Sequence, residues 1–325
     1  MTAIDLAIVL PAYNEEAVLP ISLPRLEKLL DQMIADQLVT PKSRLVFVDD
    51  GSQDKTWALI QQAQTQDPRV TGVKLSRNFG HQRALLAGLS VTAPLMDAVI
   101  SIDADLQDDI NAIPKMVQQF QTGYDVVYGV RNDRQTDTAF KRGTATMFYG
   151  LMKRLGVQMI PNSADFRLLS QRAVKTLLSF PEENLFLRAM VPLVGYPSTT
   201  VEYARLPRPA GESKYPLKKM LSFAFDGITS FSIEPIRLVM DIGFLFVFIG
   251  IAAFIYSLVQ HGRGRVVPGW TSMFCSLWII GGALMIAISV LGEYIGKIYT
   301  EVKRRPRFII EEDTVTPSEK ETQKK

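Results

Sequence analysis

The chain has 325 residues, 47% of them apolar, and a formal net charge of +3. That length can bury a sizeable core in one large domain or two smaller ones, and so small and dispersed a charge argues against nucleic acid as a partner. The single cysteine, Cys275, lies inside an apolar run, so an intrachain disulfide is excluded, thiol chemistry has little support, and no His/Cys cluster has zinc spacing. Met1 to Leu10 lacks a basic region followed by a long apolar core, so it reads as a first strand and not as a signal peptide. The portion that begins with this strand is therefore expected to stay in the cytoplasm.

Leu6 to Leu10 is a short apolar strand that ends in Pro11-Ala12-Tyr13-Asn14-Glu15-Glu16. A helical pattern follows through Leu38, interrupted early by Pro20 and Pro24. A second strand, Leu45 to Val48, ends in Asp49-Asp50-Gly51-Ser52-Gln53-Asp54, with a helix from Lys55. A third, Val70 to Leu75, leads through Ser76-Arg77-Asn78-Phe79-Gly80 into a helix around Ala84 to Leu89. This repeated order predicts a mainly parallel sheet with helices on both faces and its functional loops along one edge. Tyr13 can stack on a base, and Asp49 or Asp50 can accept a hydrogen bond from a pyrimidine imide N–H. Taken singly, Asp-Asp-Gly-Ser is more often a turn and helix cap. Neither G-x-G-x-x-G nor G-x-x-x-x-G-K-[ST] occurs, which removes the main support for a dinucleotide or P-loop site.

The fourth strand, Val99-Ile100-Ser101-Ile102, runs straight into Asp103-Ala104-Asp105-Leu106-Gln107-Asp108. Asp103 and Asp105 are two apart, so along an extended backbone both point the same way. A cation such as Mg2+ is bound through one or two carboxylates plus substrate phosphates, which suits so short a motif. A solvated acidic turn uses the same residues, and only the clustering of polar loops at successive strand ends favours chemistry.

Downstream, Leu238 to Val259 contains one charge, Asp241. About 22 residues at 1.5 Å each reach about 33 Å, enough to cross a bilayer core. Trp270 to Gly292 gives a second span, and the short turn from His261 to Gly269 makes the pair a helical hairpin; a buried hairpin of a soluble protein is the less favoured alternative. Lys218, Lys219 and Arg237 precede the pair and Lys297, Lys303, Arg304, Arg305 and Arg307 follow it, against Arg263 and Arg265 in the turn. The positive-inside bias places both termini in the cytoplasm. Tyr215 to Phe231 mixes lysines with aromatic and aliphatic residues and reads as interfacial helices, with core packing nearly as good an account. Phe140 to Leu155 is amphipathic with a basic face. The tail after Glu311 is polar and without aromatics, and disorder is expected there. The expected organisation is a catalytic domain over 1–212, interfacial helices over 213–236, spans within 237–299 and a basic, disordered tail over 300–325.

Leu10 to Glu16, Val48 to Thr56, Ser76 to Gly80 and Asp103 to Asp108, in that order, resemble glycosyltransferase family 2, and more narrowly its polyprenyl-phosphate branch. The resemblance covers roughly Ile8 to Pro306 and implies a GT-A type nucleotide-sugar fold. It implies that Tyr13 and Asp49 contact the base, that Asp103 contacts the nucleotide, and that Asp105 and Gln107 bind Mg2+ or Mn2+. Pro11, Tyr13, Glu15, Asp49, Asp50, Asp103 and Ala104 are the resulting candidate contacts to a nucleoside-diphosphate sugar. Three later positions fit the same family. Arg131, after the strand Asp125 to Val130, sits where a cation could neutralise a phosphate. Asn162 to Arg167 resembles the acceptor segment, whose Asp165 is the proposed base with Arg167 beside it. Arg208 to Tyr215 resembles a phosphate-binding loop, with Arg208, Ser213 and Lys214 as acceptor-phosphate contacts. A surface ion pair is the alternative for Arg131 and Arg167, and a turn cap for Asp165. A phosphate acceptor is already largely ionised at neutral pH, so orientation of the acceptor is the more economical role for Asp165.

The resemblance further implies transfer of a sugar, glucose from UDP-glucose by analogy, to a polyprenyl phosphate at the plasma membrane, by a multi-pass enzyme that is a homo-oligomer and by analogy a homotetramer. A processive polysaccharide synthase is disfavoured by the two spans and by the lack of a Gln-x-x-Arg-Trp motif. A non-catalytic membrane scaffold is the other reading.

Overall fold

The computed structural model describes residues 2–132, 160–183, 185–204, 234–263 and 269–316. Strand, polar loop and helix alternate through β1 (Leu6–Ala12), α1 (Leu19–Ala35), β2 (Arg44–Asp49), α2 (Thr56–Gln66), β3 (Val70–Leu75), α3 (His81–Thr92), β4 (Ala98–Ser101) and α4 (Ile113–Gln121). Every residue of β1 is buried, as a strand covered on both faces requires. Its side chains alternate. Leu6, Ile8 and Leu10 join Phe47 of β2 in one apolar cluster with Leu26 and Met33 of α1, Ile60 of α2 and Met116 of α4. Each large side chain so buried contributes about 1.5–3 kcal/mol. On the opposite face α3 comes close enough that a Cβ on Gly88 would lie 2.5 Å from Val9 Cγ1 and 2.7 Å from Val48 Cγ2. Only glycine permits that approach.

The chain continues through β5 (Val126–Arg131), β6 (Ser163–Ser170), α5 (Gln171–Ser179), α6 (Leu187–Leu193) and β7 (Ser198–Tyr203). The eight strands are ordered β7-β5-β6-β4-β1-β2-β3-β8. The expected mainly parallel sheet with helices on both faces is present, with β6 inserted antiparallel between β4 and β5. This insertion decides where the chemistry gathers. β1 to β4 run parallel, so their following loops leave from one edge. β6 opposes β4, with Arg167 across from Ser101, so its first residues emerge at the same edge. β5 opposes β6 and parallels β7, so Arg131 and Tyr203 end there too.

Two compact units result, one holding the sheet and one holding α7 (Glu234–Gly262) and α8 (Trp270–Lys303). From Arg305 the chain belongs to the sheet unit again, where β8 (Ile310–Asp313) pairs antiparallel with β3. Gly72 N–H donates to Thr314 Oγ1 at 2.8 Å and Arg44 Nη1 to the Val315 carbonyl at 3.0 Å. Val315 is buried. These contacts correct two expectations, since the catalytic unit is not confined to 1–212 and the tail from Glu311 to Thr316 is ordered. Polarity signals solvent exposure, but an edge strand takes its order from backbone pairing, which composition does not report. The expected interfacial helices over 213–236 fall outside the described residues up to 233, as do the amphipathic stretch Phe140 to Leu155 and the last residues from 317.

Candidate active site

The loops after β1 and β2 are locked to each other. Asn14, at φ 54°, donates its N–H to Ser52 Oγ (3.0 Å) and accepts from Gln53 N–H at Oδ1 (2.9 Å). Glu15 N–H donates to Thr56 Oγ1 at 2.9 Å. Asparagine tolerates this left-handed backbone better than most residues. Gly51, at φ 67°, closes against the loop after β3, where a Cβ would meet the Arg77 carbonyl carbon at 2.4 Å. The interlock presents Tyr13, 39% exposed, above the edge where Pro11 pairs with Val48.

The two adjacent aspartates have different tasks. Both Asp50 oxygens accept backbone N–H groups, Oδ1 from Phe79 at 2.7 Å and Oδ2 from Gly80 at 2.9 Å. Asp49 accepts Ser52 N–H at Oδ1 (3.2 Å), while its Oδ2 is buried with no hydrogen-bond partner among the described residues. Burial pushes both carboxyls above the usual carboxylate range, against the pull of these donors. A buried acceptor without a donor is costly. Asp49 Oδ2 is thus a buried acceptor at the end of β2 without a donor among the described residues.

At the end of β4, Leu106 takes φ 47°, and the turn closes with Gln107 N–H donating to Asp105 Oδ1 at 3.1 Å. Ala104 is buried, as is Asp105. Asp103 keeps one oxygen shielded and the rest of its side chain open, at 43% exposure. The shielded Oδ1 has no hydrogen-bond partner among the described residues and lies 3.4 Å from His81 Nε2. Burial pushes the Asp103 carboxyl up, His81 pulls it back, and Asp165, Asp108 and Asp105 push it further. Among the described residues no set of three or more His, Cys, Asp or Glu side chains forms a metal cage. The donors here suit instead a hard cation that takes most of its ligands from phosphates and water: the Asp105 carboxylate, the Gln107 amide and the orphaned Asp103 oxygen.

Two further clusters flank these acids. Asp108 Oδ1 accepts from Tyr203 Oη at 2.6 Å and from Arg131 Nη2 at 2.9 Å, and Arg131 Nε reaches Tyr203 Oη at 3.1 Å. Burial opposes the Arg131 charge, but Asp108 and Tyr203 outweigh it and hold its pKa up. Asp165 Oδ1 is bonded by Arg167 Nη2, and its Oδ2 faces Arg188 Nη2 at 3.6 Å and His81 Nε2 at 3.8 Å. Burial raises the Asp165 carboxyl, but the cations Arg167 and Arg188 prevail, with His81 adding to them, and hold it at about 2. Arg167 is only 2% exposed, and its guanidinium is committed to Asp165 through Nη2 and to the Leu187 carbonyl through Nη1.

The structure thus brings together Asp49, Asp103, Ala104, Asp105, Gln107, Arg131, Asp165 and Arg167 on one sheet edge, and turns Asp50 and Arg167 inward. Arg208, Ser213 and Lys214 lie outside the described residues. Sequence reasoning passed over His81, Arg188, Asp108 and Tyr203. A signal existed for His81, which directly follows the Ser76-to-Gly80 segment and is one of only two histidines. None existed for Tyr203, which reaches Asp108 from 95 positions away.

An α/β sheet whose carboxyl edge gathers a buried acceptor without a donor among the described residues, a turn of acids and paired arginines has the layout of a ligand-binding enzyme edge. The family model for glycosyl transferase family 2 matches residues 7–178. This chain belongs to glycosyltransferase family 2 and is an enzyme of that family. It is 49% identical over 308 residues to the uncharacterized glycosyltransferase YkoT of Bacillus subtilis (strain 168), covering 95% of this chain and 91% of that one. It is 39% identical over 310 residues to the bactoprenol glucosyl transferase of Shigella phage SfX, covering 94% and 98%. Among solved structures, the mannosyltransferase PcManGT from Pyrobaculum calidifontis in complex with GDP-Man and Mn2+ is similar over 94% of this chain and 86% of that chain, at 13% identity and a TM-score of 0.46.

Proposed function

We propose that the enzyme transfers one sugar, glucose by kinship with the bactoprenol glucosyl transferases, from a nucleoside diphosphate, UDP, to a polyprenyl phosphate at the cytoplasmic face of the plasma membrane. What carries this reading is the meeting on one edge of a buried carboxylate oxygen without a donor among the described residues, Asp49 Oδ2, and a cluster of acids and arginines of a kind suited to phosphates. Tyr13 stacks on the base, Asp49 accepts its imide N–H, and Asp103 contacts the nucleotide. Asp50 holds the loop at Phe79 and Gly80 and supports the site from behind.

Asp105 and Gln107 would hold Mg2+ or Mn2+, with the Asp103 oxygen facing the same charge. When bound, that cation supplies electrostatic stabilisation of the negative charge on the departing diphosphate, the kind of effect that dominates such barriers. Arg131, fixed by Asp108 and Tyr203, adds a preorganised positive charge. A carboxylate held at about 2 is a weak base, and a phosphate monoester with a second pKa of about 6 needs none at neutral pH. Asp165 therefore orients its cationic partners and the acceptor. The remaining acceptor contacts are Arg208, Ser213 and Lys214.

The acceptor explains the second unit. Among the described residues one helical segment, Ile279–Lys303, is long and apolar enough to cross a membrane. Its apolar side chains are open, Met285 at 67% and Ile288 at 62%, as are Phe244 and Phe248 of α7 at 66% and 73%. So much exposed apolar surface is unsuited to water, which supports α7 and α8 as a two-span hairpin, and the cations flanking the pair support cytoplasmic termini. A homo-oligomer, a homotetramer as the family resemblance implies, is the assembly proposed around this small anchor.

Incubation of the full-length enzyme with labelled UDP-glucose, polyprenyl phosphate and Mn2+ is expected to yield a chloroform-soluble lipid carrying one sugar. A water-soluble polymer, or no transfer with any nucleotide sugar, would overturn the reading. Asp105→Asn is expected to lower that turnover by roughly a hundredfold or more at saturating Mn2+, in the range seen when one transition-state stabiliser is removed. Unchanged turnover would remove Asp105 from the metal site.

A further inference from the structure

The geometry points to Arg188 as a phosphoryl-binding residue of this site, an assignment that rests on the transfer reaction proposed above. Among the described residues three basic side chains, Arg167, Arg188 and His81, surround Asp165, and they are not equivalent. Arg167 takes Oδ1 and is 2% exposed. His81 lies between Asp165 and Asp103, 3.8 Å from one and 3.4 Å from the other. Arg188 approaches Oδ2 at 3.6 Å, beyond ordinary hydrogen-bond length, and its side chain is 37% exposed.

Its placement is built from three elements. Arg188 is the second residue of α6, and the residue before it, Leu187, is fixed at both backbone groups. The Leu187 N–H donates to Gln82 Oε1 at 2.9 Å, and its carbonyl accepts from Arg167 Nη1 at 3.3 Å. Gln82 follows His81 in the first turn of α3, and Arg167 is the residue that holds Asp165. The parts of the chain that place Asp165 and His81 beside Asp103 therefore also aim Arg188 at the same spot. Surface arginines do not require such anchoring.

The charge arrangement gives the anchoring a purpose. Arg167 closes on Asp165 Oδ1 from within the protein, whereas Arg188 faces Oδ2 with its side chain partly open. Arg131 differs: three hydrogen bonds commit it to Asp108 and Tyr203. Arg188 meets Asp165 loosely, and a guanidinium carries five N–H donors in a planar fork that matches phosphoryl oxygens two at a time. The site handles two such groups, the diphosphate of the departing nucleotide and the phosphate of the lipid acceptor. Both offer the chemistry that Arg188 is set to meet.

The test uses the full-length enzyme in detergent with Arg188→Ala and Arg188→Lys, after confirming that each melts like the wild type. UDP affinity in the presence of Mn2+ is measured by calorimetry, and KM for polyprenyl phosphate by turnover. Loss of UDP affinity by roughly tenfold to a hundredfold, the worth of a charged hydrogen bond, assigns Arg188 to the leaving diphosphate. A comparable rise in acceptor KM at unchanged UDP affinity assigns it to the lipid phosphate. Lysine, which keeps the charge without the fork, is expected to restore part of either loss, and it carries the test alone if the alanine variant does not fold. Both quantities within about twofold of wild type in a folded variant would overturn the proposal and leave Arg188 a counter-ion of Asp165. A wild type that binds UDP but glycosylates no polyprenyl phosphate overturns the transfer reaction instead, and the UDP arm still decides Arg188.

Discussion

Asp49 and Asp50 are neighbours with the same side chain, yet their surroundings divide the work between them. Asp50 stitches β2 to the loop before α3 through two N–H donors, whereas Asp49 leaves Oδ2 buried and without a partner among the described residues. Asp50→Ala is expected to destabilise the protein by about 2–4 kcal/mol, because two backbone donors lose a charged acceptor. Asp49→Ala is expected to leave the melting temperature nearly unchanged and to raise KM for the nucleotide sugar; the reverse pattern would exchange their roles. Away from the site, Asp125 is held below the usual carboxylate range chiefly by Arg172, with Ser170 assisting. The folded-state pKa lies below the unfolded value of about 3.9, so this contribution is complete above that value and is lost as pH falls through the folded pKa. Melting curves between neutral pH and pH values below about 4 should show a shallower acid limb for Asp125→Asn than for the wild type.

Elements differ in how openly their sequence declares them. β1 to β4 were legible because each is an apolar run followed by a polar loop, and the shared edge follows from parallel order alone. The order of β5, β6 and β7 was not, since antiparallel insertion of β6 depends on pairings far apart in the chain, and with it went the meeting of Arg131, Asp108 and Tyr203. For the same reason the sequence pointed to the Asp103 turn and Asp165 but not to Arg188, whose aim depends on Gln82 and Arg167. β8 was misread outright. Its residues include Glu311, Glu312 and Asp313, which look solvated, and Lys74 of β3 pairs with Glu311 at 3.2 Å. The decisive residue is Val315, 1% exposed. Val315→Asp is expected to lower stability by roughly 2–3 kcal/mol by burying an unpaired charge. Denaturant unfolding checks it, and no change would return the tail to disorder.

On the scale of the whole molecule, the two units treat their apolar residues in opposite ways. The sheet unit buries its apolar residues, with β1 closed on both faces, while α7 and α8 turn theirs outward, and the chain then returns from Arg305 to finish the edge of the sheet. The proposed two-span hairpin accounts for this return, because a chain that leaves a unit and re-enters it on the same side of a bilayer crosses an even number of times. The charge asymmetry points the same way: the segment after α8 carries Arg304, Arg305 and Arg307, and the turn carries Arg263 and Arg265. Membranes bearing the full-length protein should retain it through an alkaline carbonate wash and release it only to detergent. With Cys275 replaced by serine, a cysteine at position 263 should react with a membrane-impermeant maleimide added to intact cells, and one at position 316 should react only after permeabilisation. Release by carbonate would make the attachment peripheral. Labelling of both positions from the same side would leave α7 and α8 unable to serve as two complete crossings, and the catalytic edge would then need another route to a lipid phosphate.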